Sequence, residues 1–336
     1  MTWIARPPDW PDIVAALEGA RRVGLACHVK PDGDALGALL GASLGLARRG
    51  VEVFPSWDGS PVKLPPPYEW MPGADLLVQV EDVPETTTFL AIDCGAADRL
   101  GRLESRARQA ECVINIDHHP GNDNFGHLNA VVTTASSSAE LVARLLVDLG
   151  VEIDADIATC LYVGIVTDTG RFQYANSSSD TLRLVANLLD RGVLAPQIAQ
   201  LIFESQSFGY LKLVGRVLQR ATLIAAERFV YSWLSRADLE ETGVGIAETD
   251  GLIDAVRSIR EADVAAMFKE QPDGRWRVSL RSKGPSVGAV ARGRGGGGHE
   301  LAAGFTADDV DTTVADIRAR LARQSNLSPS GGSSPP

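Results

Sequence analysis

Apolar and polar positions along the first half of the chain fall into blocks of two kinds. Residues 11–20, PDIVAALEGA, carry apolar side chains at helical spacing, and residues 23–27 form an apolar run that stops at the polar cluster HVKPDGDALG over 28–37. This predicts a strand that empties into a loop. Helical spacing resumes over 35–49, Gly50 supplies a stop, and VEVF at 51–54 reads as the next strand. After a Pro-rich stretch at 61–72, read as a surface connection, FLAID (89–93) and CVINID (112–117) are short β-rich runs separated by a charged, helix-compatible segment. Short apolar strands alternating with helices predict a parallel sheet. Residues 136–150, SSSAELVARLLVDLG, combine N-capping serines, an apolar stripe and a terminal glycine, which predicts an amphipathic helix. The run 157–166 fits strand or helix by pattern, and its length favours helix.

Helical patterns continue through 180–219, and then 221–235 and 276–282 bring in strands with a different neighbourhood. The expected fold class is therefore α/β. An N-terminal parallel-sheet domain with flanking helices spans 1–203, a linker 204–214, and a smaller α/β domain 215–324. The Ser/Pro/Gly tail 325–336 has too little to bury and is expected to be disordered.

Composition narrows the function. The 336 residues are 45% hydrophobic, enough for two cores, and 32 Lys+Arg against 43 Asp+Glu give a net charge of -11. Such a balance disfavours a protein that grips long duplex DNA through its overall field. Cys27, Cys94, Cys112 and Cys160 are too sparse for a disulfide scaffold and lack zinc-site spacing, so they read as reduced thiols. The start of the chain lacks a basic segment leading into an apolar run, and no stretch approaches the ~18 apolar residues of a membrane span. A cytoplasmic, membrane-free location is expected.

Three predicted strands end in residues that can bind metal. The first reaches His28, with Asp32 and Asp34 just beyond, the second Asp93, and the third Asp117, His118 and His119. In a parallel sheet the C-terminal strand ends open on one edge, so these residues would meet there, with Asp168 of VTDTG completing the set. Carboxylates pressed together repel, and burying them is costly unless cations neutralise them. Oxygen and imidazole donors without designed thiolates suit Mn²⁺, with Mg²⁺, Co²⁺, Fe²⁺ and Zn²⁺ open to the same donors. Two ions ~3.5–4 Å apart, bridged by one carboxylate, would activate a water and stabilise charge developing on phosphate oxygens, so the implied reaction class is phosphoester hydrolysis.

A blander interpretation competes at each motif: PDGD also makes a turn, and a strand-terminal Asp often caps the next helix. Four such motifs in one half of the chain, together with four of the five histidines, favour the metal reading. His127, in NFGHLN, is read as an ordinary surface residue. Cys94 is assigned to packing, because no neighbouring base marks it as a nucleophile. Ser136 to Ser138 could face a phosphate from a helix N-terminus, but simple capping is favoured.

In the second half, residues 274–299 contain Arg275, Arg277, Arg281, Lys283, Arg292 and Arg294 with no acidic residue, and they end in GGGGH at 295–299. Glycines let a backbone approach an anion closely, and His299 could donate to it. Apolar flanks on both sides argue for a loop held between packed elements rather than a floppy linker.

The motifs HVKPDGDALG, AIDCG, IDHHP and GIVTDTG, followed by SLRSKG and GGGGHELAAGF, resemble the DHH phosphoesterase family with its DHH-associated C-terminal domain, over residues 20–320. Within it the chain looks most like the short branch acting on very short RNA and on 3′-phosphoadenosine 5′-phosphate (pAp). The resemblance implies two lobes with the active site in a cleft. It also implies two Mn²⁺: His28, Asp32 and Asp93 at one, and Asp34, Asp93, His118 and Asp168 at the other, with Asp93 bridging. Asp117 would orient the histidines and His119 would contact the scissile phosphate or assist the leaving oxygen. Arg281, Ser282, Gly296, Gly297, Gly298 and His299 would grip the far phosphate or nucleotide. At Arg294, relatives often carry an apolar residue.

The expected activity is Mn²⁺-dependent hydrolysis of short oligoribonucleotides to nucleoside monophosphates and of pAp to AMP. A cyclic-dinucleotide or linear-dinucleotide phosphodiesterase is the near alternative, and a non-catalytic nucleotide or RNA sensor is the alternative from another class. A long-strand exonuclease and a manganese pyrophosphatase rank lower. The expected partners are short RNA or a small nucleotide, with neither membrane nor long duplex DNA, in a monomer or homodimer.

Overall fold

The computed structural model describes residues 6–327, which form two compact units dividing between Ser205 and Gln206. Each unit is described by itself.

In the first unit, α1 (Trp10–Gly19) precedes β1 (Arg22–Cys27), α2 (Gly33–Arg48) and β2 (Glu52–Ser56). There follow β3 (Thr88–Ile92), α3 (Glu104–Gln109), β4 (Cys112–Asp117) and β5 (Leu128–Val131). The helices α4 (Ser138–Asp148), α5 (Ala155–Asp168), α6 (Ser179–Asp190) and α7 (Ala195–Phe203) complete it. The five strands are all parallel, in the order β2-β1-β3-β4-β5. Register pairs Cys27 with Ile92 and Ile92 with Ile116, so the residues following each of these positions leave the sheet along one edge. The strand order reverses between β1 and β3, which is where an open α/β sheet forms its ligand crevice.

Residues 33–46 of α2 are buried on every side, and apart from Asp34 and Ser43 they are apolar or glycine, as an internal helix requires. A Cβ on Gly37 would lie 2.4 Å from the Cys160 carbonyl oxygen, and one on Gly164 would lie 2.5 Å from Ala139 Cβ and 2.8 Å from Asp34 Oδ1. These two glycines let α2, α4 and α5 approach closely enough for α5 to deliver Asp168 to the sheet edge.

Two features of this unit differ from the sequence expectation. The segment 61–72 is not purely superficial, since Val62, Leu64 and Met71 are buried in the core. The short strand β5 lies in the segment expected to be loop, and His127 just before it, though exposed, accepts a hydrogen bond from Val113 N at 2.9 Å. The run 157–166 is helical within α5, the outcome its length favours.

The second unit opens with α8 (Phe208–Arg220), which begins inside the expected 204–214 linker and leaves only 204–207 outside helix. Then come β6 (Thr222–Ile224), β7 (Phe229–Leu234), α9 (Arg236–Thr242), α10 (Leu252–Arg257), β8 (Val264–Glu270) and β9 (Trp276–Ser282). The unit closes with α11 (Val287–Arg292), β10 (Gly297–Gly298), β11 (Ala302–Ala307) and α12 (Val310–Leu327). Its mixed sheet runs β10-β11-β9-β8-β7-β6, with β7 and β8 parallel and the other pairs antiparallel. Helix α12 takes in residues 325–327 of the expected tail, and 328–336 lie outside the described residues. All four cysteines are free, and among the described residues no helix is long and apolar enough to cross a membrane.

Candidate metal centre

The residues leaving β1, β3 and β4 meet at the sheet edge. His28 Nε2 lies 3.4 Å from Asp93 Oδ2 and 3.9 Å from Asp32 Oδ1. His118 Nε2 lies 3.8 Å from Asp34 Oδ2, 3.7 Å from Asp93 Oδ1 and 3.6 Å from Asp168 Oδ2. Among the described residues, three triplets hold ligand atoms within 4.8 Å of one another: His28, Asp32 and Asp93; Asp34, His118 and Asp168; Asp93, His118 and His119. Asp93 belongs to two of them, and its two oxygens face opposite ways, Oδ2 toward His28 and Oδ1 toward His118. Its backbone is left-handed (φ 58°), a conformation costly for a non-glycine residue, held by Asp93 N donating to Ile116 O at 2.9 Å.

Several of the candidate ligands are held by neighbours. His28 Nδ1 donates to Val29 O at 2.9 Å, which turns the lone pair of Nε2 inward. Asp32 accepts from Asp34 N and Ala35 N at 3.1 Å each, so it caps α2 as well as facing the site. The capping reading of PDGD holds at that residue, whose carboxylate also belongs to one of the triplets. The first turn of α4 reaches two carboxylates: Ser138 N and Ala139 N donate to Asp34 at 2.7 and 2.9 Å, and Ser138 Oγ donates to Asp93 Oδ1 at 2.8 Å. The capping role falls to Ser137, whose Oγ accepts from Glu140 N. Asp117 Oδ1 accepts from His119 Nδ1 at 2.7 Å, and Asp117 Oδ2 accepts from Asn122 Nδ2 at 2.6 Å.

The electrostatics favour cations. Burial, followed by the charges of Asp93, Asp168 and Asp32, pushes the Asp34 carboxyl well above its ordinary range. Burial also raises Asp168, to about 7, with Asp32 and Asp93 adding to it against the opposing effect of His118. Burial works the same way on Asp93, but the hydrogen bond with His28 and the three imidazoles overcome it and hold that carboxyl below its usual value. Burial depresses His119, yet its bond to Asp117 and the surrounding carboxylates lift it to about 9. A set of oxygen and imidazole donors in which a buried and a half-buried carboxylate resist ionisation fits divalent cations, which remove that penalty. Asn176 gives a second sign of fit. Its Nδ2 donates to Ser136 O at 2.8 Å and to Asp168 O and Oδ2 at 3.3 Å, while its buried Oδ1 has no hydrogen-bond partner. A buried acceptor without a protein donor is expected where a site accepts further groups.

The structure thus brings His28, Asp32, Asp34, Asp93, Asp117, His118, His119 and Asp168 together in the first unit. Cys94 is fully buried beside them, and burial raises its thiol, as a packing residue requires. Asn122 and Asn176 are additions that the sequence does not single out, and Ser138, expected to cap like its neighbours, bonds Asp93 instead.

The remaining candidates lie on neighbouring strands of the second unit. Arg281 is half-buried on β9 with Nη1 donating to Leu280 O at 3.0 Å, and fully buried Ser282 accepts from Gly284 N at 3.0 Å. The glycine loop is ordered as a strand: Gly297 and Gly298 pair with Gly304 and Ala303, Gly296 precedes them and half-buried His299 follows. The basic stretch is less charged than its sequence suggests. Arg275, Arg292 and Arg294 pair with Asp273, Glu300 and Asp316, the first two acids lying just outside the 274–299 window. Arg294 also sits 5.1 Å over the Phe305 ring, which accounts for an arginine where packing is required.

Comparison with known proteins gives the same outline. Residues 22–165 match the DHH family, N-terminal domain, and residues 227–324 match the DHHA1 domain. A bifunctional oligoribonuclease and PAP phosphatase of Thermus thermophilus is 33% identical over 95% of this chain and 94% of its own length. Its counterpart from Bacillus subtilis is 30% identical over 86% and 91%. In structure, an exopolyphosphatase-related protein of Bacteroides fragilis superimposes with a TM-score of 0.88 at 24% identity, covering 97% of this chain and 99% of that one. RecJ of Thermus thermophilus in complex with Mn²⁺ gives 0.58 at 17% identity, over 95% of this chain and 56% of RecJ.

Proposed function

The chain belongs to the DHH family, and on that premise we propose that it is a Mn²⁺-dependent phosphoesterase that hydrolyses short oligoribonucleotides to nucleoside monophosphates and pAp to AMP. The observation that carries the reading is the pair of clusters sharing Asp93, whose two oxygens face His28 and His118. In this reading His28, Asp32 and Asp93 hold one cation, and Asp34, Asp93, His118 and Asp168 hold the other. When bound, such a pair supplies Lewis acidity that activates water and offsets charge building on phosphate oxygens.

The chain's own residues do the positioning. Asp117, steadied by Asn122, engages His119 at Nδ1, so Nε2 is the atom that would meet the scissile phosphate or the leaving oxygen. In the second unit, Arg281, Ser282 and the backbone from Gly296 to His299 would bind the distal phosphate or nucleotide. A set with Arg281 as its cation suits a short anion and matches a net charge of -11 better than an extended nucleic-acid track would.

A product time course on 5′-labelled dinucleotide to pentanucleotide RNAs, run with Mn²⁺ beside pAp, a linear dinucleotide and a cyclic dinucleotide, tests the proposal. Monophosphate release from the short RNAs and AMP from pAp are expected. Turnover confined to the cyclic dinucleotide would transfer the activity to the alternative substrate class, and no turnover of any would overturn the reading.

A further inference from the structure

Resting on the two-cation reading, we propose that Ser138 is a positioning residue that sets which lone pairs of Asp93 are offered to the cations. Asp93 leaves β3 with a left-handed backbone, and its side chain must serve clusters on opposite sides. A carboxylate oxygen has two lone-pair directions. The Ser138 hydroxyl occupies one of those on Oδ1 at 2.8 Å, and the other remains directed toward the His118 side, where Nε2 lies 3.7 Å away. Oδ2 faces the other cluster, with His28 Nε2 3.4 Å away. The carboxylate plane is thereby held from the Oδ1 end.

Ser138 is well suited to this role because it is itself immobilised. It is fully buried, and its backbone N–H donates to Asp34 Oδ2 at 2.7 Å, so one residue registers carboxylates from two different elements. The turn before it is braced by Glu140, whose Oε2 accepts from Ser136 N and Ser136 Oγ at 2.8 and 2.5 Å. Asn176 ties the Ser136 carbonyl to Asp168, so a third ligand is referred to the same turn. The adjacent Ser137 provides an internal control, since its hydroxyl bonds only Glu140 N and caps α4 without touching a site carboxylate.

The test uses Ser138→Ala and Ser137→Ala in the full chain. Mn²⁺ alone is titrated and free ion is read by electron paramagnetic resonance, with thermal unfolding of the metal-free proteins measured alongside. Ser138→Ala is expected to fold and to weaken Mn²⁺ binding by about 10–100-fold, the usual effect of removing a hydrogen bond behind a ligand. Ser137→Ala is expected to lower the unfolding temperature while leaving Mn²⁺ affinity near that of wild type. Wild-type affinity in Ser138→Ala, equal weakening in both variants, or failure of metal-free Ser138→Ala to fold would each overturn the positioning role. Absence of Mn²⁺ binding by the wild-type chain would instead overturn the two-cation reading beneath it.

Discussion

Replacing Asp93 with Asn keeps the shape of the side chain but removes the charge whose two oxygens face His28 at 3.4 Å and His118 at 3.7 Å. Both clusters lose a donor at once, so Asp93→Asn is expected to abolish hydrolysis and to lower the number of Mn²⁺ ions bound, measured by equilibrium dialysis; unchanged turnover would refute the assignment. Arg281→Ala should act differently. Binding a distal group equally in ground and transition states raises KM and spares kcat, and a kinetic profile that showed the reverse would place Arg281 in the chemistry. The residues legible from sequence are those whose types are expensive to bury without a purpose, and they sit where apolar runs stop. Ser138 is read from the sequence as a cap, and Asn122 and Asn176 pass unremarked, because a serine before a helix and an asparagine in a loop have ordinary explanations. The difference between Ser137 and Ser138 is one of direction alone: one hydroxyl bonds its own helix and the other bonds Asp93.

At the scale of elements, the site depends on three helices that approach without intervening side chains. Gly164→Ala would put a methyl group 2.5 Å from Ala139 Cβ and 2.8 Å from Asp34 Oδ1. Overpacking of this kind costs roughly 1–3 kcal/mol, and here the strain falls on a proposed ligand, so a lower unfolding temperature and weaker Mn²⁺ binding should appear together in calorimetry. A loss of stability with Mn²⁺ affinity intact would mean that α4 moves rather than Asp34. The strands β1 to β4 were readable because each is a short apolar run closed by turn residues. Strand β8, VAAMFKE, was not, because alanine, methionine, lysine and glutamate favour helix locally. Only burial between two layers, with α10 on one face and α11 and α12 on the other, makes it a strand. Likewise β5 is only four residues, LNAV, and owes its place to pairing with β4. Tertiary contacts decide such segments, and a local pattern cannot report them.

Across the whole molecule, the apolar residues gather into separate clusters, one in the first unit and two in the second. The division into two folding units was readable from the change of neighbourhood after 220, whereas the length of the connection was not, because α8 starts with the exposed apolar residue Phe208 and its amphipathic pattern reads as a continuation of the preceding helices. Every proposed cation ligand lies before Ser205. A ligand that binds the native state stabilises by mass action, by about 2.7 kcal/mol per site at a hundredfold excess over Kd. Hydrogen exchange should therefore slow in β1, α2, β3, β4, α4 and α5 when Mn²⁺ is added to the metal-free chain, because those elements carry or hold the ligands. Exchange in β8, β9 and β11 should stay as it was, since none of the three triplets draws on them. Equal slowing in both units would show that cations also engage the second unit, and slowing confined to β8, β9 and β11 would remove the cations from the sheet edge altogether.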